Sequence, residues 1–175
     1  MTEPSQRLFF ALWPDDAVRD ALVQWQKAVL PRGIRPTHRL DLHITLHFLG
    51  QVPSARVDEL KVLGGSLHLP AFPLLLDQLG VFARARVLWA GASCAPQAML
   101  DLHEDLGEGL RELDFALDTR KFHPHVTLAR KVREKPEVET LPPIEWTVRQ
   151  WALVESQPGR VPLYRPLATW SLDEN

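Results

Sequence analysis

Apolar and polar positions along the chain repeat with two different periods. Arg7 to Trp13 is a continuous aromatic and apolar run of strand length, followed by Pro14, Asp15 and Asp16, which bring helix-start chemistry with acids near the positive end of a helix dipole. Val18, Leu22, Trp25 and Val29 then recur at spacings of four, three and four, which predicts a helix with one apolar stripe that stops before Pro31. Pro31 to Arg39 reads as a loop. From Asp41 to Leu49 the period becomes two, with Leu42, Ile44, Leu46 and Phe48 on one face and Asp41, His43, Thr45 and His47 on the other. A half-buried strand is expected there.

Pro53 and Ser54 open a second predicted helix that runs to about Leu67. Phe72 to Phe82 and Arg86 to Ala90 read as two strands around a turn containing Gly80. A third helix follows Pro96 on the stripe Met99, Leu102, Leu106, Leu110 and Leu113, with Gly107 and Gly109 as weak points. Period two returns at His123 to Arg130, with His125 and Thr127 on one face and Val126 and Leu128 on the other. Lys131 to Pro143 is a charged, proline-bearing surface loop, and Ile144 to Val154 and Tyr164 to Trp170 read as closing strands.

Composition narrows this picture to one domain spanning residues 1–175, with 45% hydrophobic residues available for a core. A net charge of −2 excludes a protein that coats long nucleic acid, which needs a broad excess of Lys and Arg. The single cysteine, Cys94, closes no intrachain disulfide, the start of the chain is polar, and no apolar run approaches the ~20 residues of a membrane span. A cytoplasmic chain with no membrane segment is expected, with a monomer as the default.

The chemistry lies in two similar tetrapeptides, His43-Ile44-Thr45-Leu46 and His125-Val126-Thr127-Leu128, 82 positions apart in 175. That spacing suggests two similar halves that each bring one His-x-Thr strand to a shared cleft. On a strand, residues i and i+2 share a face, so each motif presents an imidazole beside a hydroxyl. The hydroxyl can donate to a phosphoryl oxygen, and an imidazole titrates near neutrality. Two histidines, one charged and one neutral, can flank phosphorus as acid and base for in-line displacement. The competing reading is a metal site at His43 and His47 or at His123 and His125, but i, i+4 on a strand spans roughly 13 Å, too far for one ion.

These residues resemble the two-histidine (2H) phosphoesterase superfamily, and within it the RNA 2′,3′-cyclic phosphodiesterases also called 2′-5′ RNA ligases. The likeness is carried by Arg7-Leu8-Phe9-Phe10-Ala11, Leu42 to Gly50, Arg86-Val87-Leu88-Trp89, Phe122 to Arg130, and Gly159-Arg160 with Tyr164 and Pro166. It implies an α+β, bilobal, pseudo-twofold duplicated fold, with antiparallel sheets forming a concave cleft and helices packed outside. It also implies hydrolysis of RNA 2′,3′-cyclic phosphate ends to 2′-phosphomonoesters without metal or cofactor, and a weak, reversible 2′-5′ joining activity. By the same likeness His43 is the general acid, His125 the general base, Thr45 and Thr127 hold the non-bridging oxygens, and Arg130 is a phosphate ligand.

Two alternatives stay open: an enzyme for small cyclic nucleotides or ADP-ribose cyclic phosphate, and an RNA-end binding module without turnover. Phe48 and Tyr164 are core residues or base-stacking platforms. His38, His47, His68, His103 and His123 read as structural or surface residues. Arg32, Arg35 and Arg39 precede the first motif, while Arg120, Lys121, Arg130, Lys131 and Arg133 bracket the second; if both groups rim the cleft they form a local positive funnel for a strand end.

Overall fold

The computed structural model describes residues 3–174. β1 (Ser5–Leu12) leads into α1 (Asp16–Val29), whose first turn is capped by the Asp15 carboxylate accepting the Val18 N–H. A short 3-10 turn, Arg39–Asp41, precedes β2 (Ile44–Pro53), and α2 (Val57–Ser66) follows. Then come β3 (Phe72–Leu76), β4 (Gln78–Phe82), β5 (Val87–Gly91), α3 (Gln97–Glu112), β6 (His125–Arg130), β7 (Ile144–Val148), β8 (Gln150–Ser156) and β9 (Tyr164–Ser171).

The architecture is α+β. Seven strands form one antiparallel sheet in the order β4-β5-β6-β2-β1-β8-β9, and β3 pairs with β7 in a separate ribbon. Two strand-helix-strand passages, β1-α1-β2 and β5-α3-β6, each return as antiparallel neighbours. They meet where β2 lies beside β6, joined by a single paired position, Ile44 opposite Val126.

The predicted helical stripes are buried, Val18, Leu22, Trp25 and Val29 from α1 and Met99, Leu102, Leu106 and Leu110 from α3, except that Leu113 caps the C-terminus of α3 and is only half-buried. They pack with α2, the β3–β7 ribbon and one face of the large sheet into a single core that includes Leu8, Phe10, Ile44, Val126 and Trp151. Fully burying each such side chain is worth about 1.5–3 kcal/mol, so this layer holds the sheet together. The opposite face carries a small cluster, Phe9, Ala11, Trp13, Ala152 and Val154 with Tyr164 beside it, and no apolar helix residue among the described ones joins it. That face is free to carry polar groups.

Three expectations change. The run 72–82 is two strands in different sheets, broken at Asp77, whose N–H donates to the Gly91 carbonyl and whose carboxylate accepts from Ser93. The run 144–154 breaks likewise at Arg149 into β7 and β8. Periodicity continues across both breaks because it records burial and not the strand partner. Gly80 is not in a turn: it sits inside β4 opposite Trp89, where an added Cβ would meet the indole ring at 2.2 Å. α3 also runs unbroken through Gly109, where a Cβ would meet Leu63 of α2 at 2.4 Å, so this glycine serves close helix packing.

Candidate active site

Both motif strands slip register just after the threonine. Thr45 pairs with Ala11 but His47 with Phe10, leaving Leu46 as the extra residue; Thr127 pairs with Trp89 but Ala129 with Leu88, leaving Leu128. Such a bulge sends the following side chains to the other face. His47 therefore joins the helix side, where its Nε2–H donates to the His103 carbonyl at 2.8 Å and its ring stacks on His103 at 4.1 Å. His103 in turn stacks on Phe122 at 3.9 Å. Phe48 emerges on the open face, 47% exposed, with the Arg7 guanidinium 5.1 Å from its ring centroid. Strict alternation had placed His47 and Phe48 the other way round. With His43 and His47 on opposite faces, the two do not share an ion, and no three His, Cys, Asp or Glu side chains gather at any metal-sized point among the described residues.

His43 and Thr45 stand on the open face at the start of β2. The His43 Nδ1 lies 2.6 Å from the Asp41 carbonyl, which can only accept, so Nδ1 carries the proton. The Nε2 lone pair then meets the Thr45 hydroxyl at 2.9 Å. Rings of Phe9 and Tyr164 pack at 4.9 and 5.1 Å, and Trp13 stacks at 6.1 Å. Burial among them lowers the His43 pKa from 6.5 to about 4; the Asp41 carbonyl and carboxylate pull upward, and the charges of His125 and Arg130 push further down.

The second motif repeats this arrangement. The His125 Nδ1 donates to the His123 carbonyl at 2.7 Å, which leaves Nε2 unprotonated in the neutral ring. Phe82 and His123 pack against it at 4.9 and 5.9 Å, and Trp89 stands at 6.5 Å. His123, expected to be structural or on the surface, thus supplies both the carbonyl and part of the ring cage. Burial lowers the His125 pKa, the His123 carbonyl opposes this, and the charges of His123 and Arg130 add to it. Thr127 stands on the same face at the register of Trp89.

Arg130, also on this face because of the Leu128 bulge, is exposed and pairs with no carboxylate among the described residues. Its charge reaches both imidazoles. The expected funnel is thinner than the sequence suggested: Arg39 is bonded to Asp16 and Asp20 of α1, and Arg120 to Asp118.

Asp41 escaped the sequence reading. It is buried, its two carboxylate oxygens accept the backbone N–H groups of Leu163 and Tyr164 at 3.0 Å each, and its carbonyl fixes His43. It ties the start of β9 to the segment that carries the first motif. Period two had made it one more polar strand position; only its place two residues before the motif histidine, matched by His123 in the other half, hinted at the role. A cavity of about 520 Å³ has Trp13 and Tyr164 in its wall, and His43 is not among its lining residues.

The family model described as the 2′-5′ RNA ligase superfamily matches residues 14–160. The chain belongs to this superfamily. It is 34% identical over 180 residues to the RNA 2′,3′-cyclic phosphodiesterase of Escherichia coli (strain K12), covering 99% of this chain and 100% of that one. It is 37% identical over 183 residues to the enzyme of the same name from Thermus thermophilus, covering 95% of this chain and 90% of that one. The crystal structure of E. coli LigT complexed with 3′-AMP superposes with a TM-score of 0.81 at 32% identity, covering 97% of this chain and 99% of that one. The superposition over nearly the whole of both chains makes the fold of this chain that of the 2H phosphoesterases.

Proposed function

We propose that this protein hydrolyses RNA 2′,3′-cyclic phosphate ends to 2′-phosphomonoesters, with His43 and His125 as the acid–base pair. One observation carries the reading: both imidazoles are locked in the same tautomer by a carbonyl two residues back, so both present Nε2 to the open face. The full-length likeness to enzymes named RNA 2′,3′-cyclic phosphodiesterase supports it.

In the proposed step, the His125 Nε2 takes a proton from water as the water oxygen attacks phosphorus. The P–O3′ bond breaks, and the His43 Nε2–H gives its proton to O3′. Burial empties His43 of that proton in the resting protein, so the anionic cyclic phosphate must restore it on binding. Arg130 acts on both imidazoles, but only His43 has a carboxylate nearby, that of Asp41, to stabilise the resulting imidazolium; this favours His43 as the acid. Thr45, Thr127 and Arg130 hold the non-bridging oxygens, with Arg130 meeting charge that grows there. The two halves of residues 1–175 contribute one motif each to a single site. No metal or cofactor enters these steps, and the exposed thiol of Cys94 suits a reducing, cytoplasmic setting. No helix among the described residues is long and apolar enough to cross a membrane.

The test is incubation of short RNAs ending in 2′,3′-cyclic phosphate, and of cyclic mononucleotides, in the presence of EDTA, with identification of the phosphomonoester isomer. The 2′ isomer, formed despite chelation, is expected. Formation of the 3′ isomer, dependence on added zinc or manganese, or binding without turnover would overturn the reading.

A further inference from the structure

The cavity at Trp13 is lined by three arginines, Arg19, Arg160 and Arg165, and by no carboxylate. Arg165 is bonded to Glu155 at 3.0 Å. Arg19 is different. It projects from the first turn of α1, is 7% exposed, and its Nε is buried without a hydrogen-bond partner. Its guanidinium lies 5.2 Å from the centroid of the Trp13 ring. The carboxylates near it act only through space and none forms an ion pair with it among the described residues: Asp15 caps α1, Asp16 binds Arg39, and Asp41 accepts two backbone N–H groups. A buried guanidinium with no direct ion pair and an unbonded Nε is costly, and a cation–π contact offsets only part of that cost. An anion is the group this cavity lacks. Arg160, exposed in its lining, provides a second cation with no carboxylate partner among the described residues.

Location identifies the anion. Trp13 is stacked on His43 at 6.1 Å and also walls the cavity, while Tyr164 meets His43 edge-on at 5.1 Å and walls it too. The cavity therefore begins one ring's width from the catalytic imidazole. When a cyclic phosphate occupies the motif face, the next negative charge along an RNA chain is the phosphodiester on the 5′ side of the same ribose.

We propose that this cavity is a second phosphate subsite, in which Arg19 and Arg160 bind that 5′-side phosphate and so select RNA chain ends over bare cyclic nucleosides. The inference rests on the cyclic phosphodiesterase reading of His43 and His125. Charge-assisted hydrogen bonds of this kind change affinity about tenfold or more.

Three substrates test it: adenosine 2′,3′-cyclic phosphate, the same compound with a 5′-phosphate, and the dinucleotide ApA ending in a 2′,3′-cyclic phosphate. The second and third should show kcat/KM about tenfold or more above the first, chiefly through KM. Arg19→Met and Arg160→Ala should pull that ratio toward one, whereas Lys61→Ala, on the helix side, should leave it in place. Arg160 lies on an exposed loop, so its variant remains informative if Arg19→Met fails to fold. A preference for the dinucleotide alone would assign the site to the RNA phosphodiester; a preference shared with the 5′-phosphate compound assigns it to phosphate in either form. Equal kcat/KM on all three, or a preference that survives Arg160→Ala, overturns the subsite while leaving the function intact. If no cyclic phosphate is hydrolysed at all, the functional reading fails instead. The subsite is then decided by calorimetric binding of 5′-AMP against adenosine: a gain for 5′-AMP that Arg160→Ala abolishes supports it, and no gain overturns it.

Discussion

Phe48 and Arg130 occupy the same place in the two motif strands, each five residues beyond its histidine and each turned onto the open face by a bulged leucine, Leu46 or Leu128. One half presents an aromatic ring there and the other a guanidinium. The two strands repeat the His-x-Thr pair and differ in what stands beyond it.

Phe48→Ala should raise KM for short RNAs about tenfold, since base stacking on an aromatic is worth about 1–3 kcal/mol, and should leave kcat near its wild-type value. Arg130→Ala should lower kcat by about 10² or more, because it removes a cation where charge develops. Arg35→Ala, on a loop, should do far less. Steady-state kinetics of the three variants check this; equal effects at Arg130 and Arg35 would sink the role given to Arg130.

His43→Ala and His125→Ala should each lower turnover by about 10² to 10⁴, and the double variant should lose much less than the product of the two. Full activity in either single variant would exclude acid–base catalysis by the pair.

Asp41→Asn should lower kcat and shift the alkaline limb of the pH–rate profile to lower pH. The carboxylate favours a charged His43, so its removal makes the acid lose its proton at lower pH. An unshifted profile with reduced thermal stability would reduce Asp41 to a structural tie.

Stability should fall as pH drops from about 6.5 to about 4. His43 and His103 both have folded pKa values lowered to about 4, the first by burial and the second by burial with His47 beside it, so across this window the unfolded chain binds more protons than the folded one. Thermal melts at a series of pH values measure the slope, which His103→Asn should reduce. A melting temperature independent of pH over this range would contradict it.

Gly80→Ala should destabilise by about 1–3 kcal/mol, as overpacking does, and should lower activity by displacing Trp89 against His125. Urea unfolding with parallel kinetics tests both parts.

The sequence made the helices and the His-x-Thr pair legible because each depends on local period: the α1 stripe and the alternation about Ile44 and Val126 survive folding unchanged. It hid whatever depends on a partner strand. Nothing in Leu46 or Leu128 announces a bulge, so the faces of His47 and Phe48 were misplaced. Gly80 looked like a turn because the indole that occupies its missing Cβ comes from another strand. Asp41 and Arg19 gained their meaning only when β9 and Trp13 closed around them.

The ladder between β2 and β6 is one rung wide, Ile44 opposite Val126. Past that rung β6 turns to the chain ahead of β2, with Pro36 opposite Ala129 and the Thr37 N–H donating to the Leu128 carbonyl. The Asp41 and His123 carbonyls stand outside this pairing, and each is taken up by an imidazole two residues on. Acceptors that no ladder uses are the ones that aim the two histidines: what is subtracted from strand pairing at the midline reappears as orientation in the site.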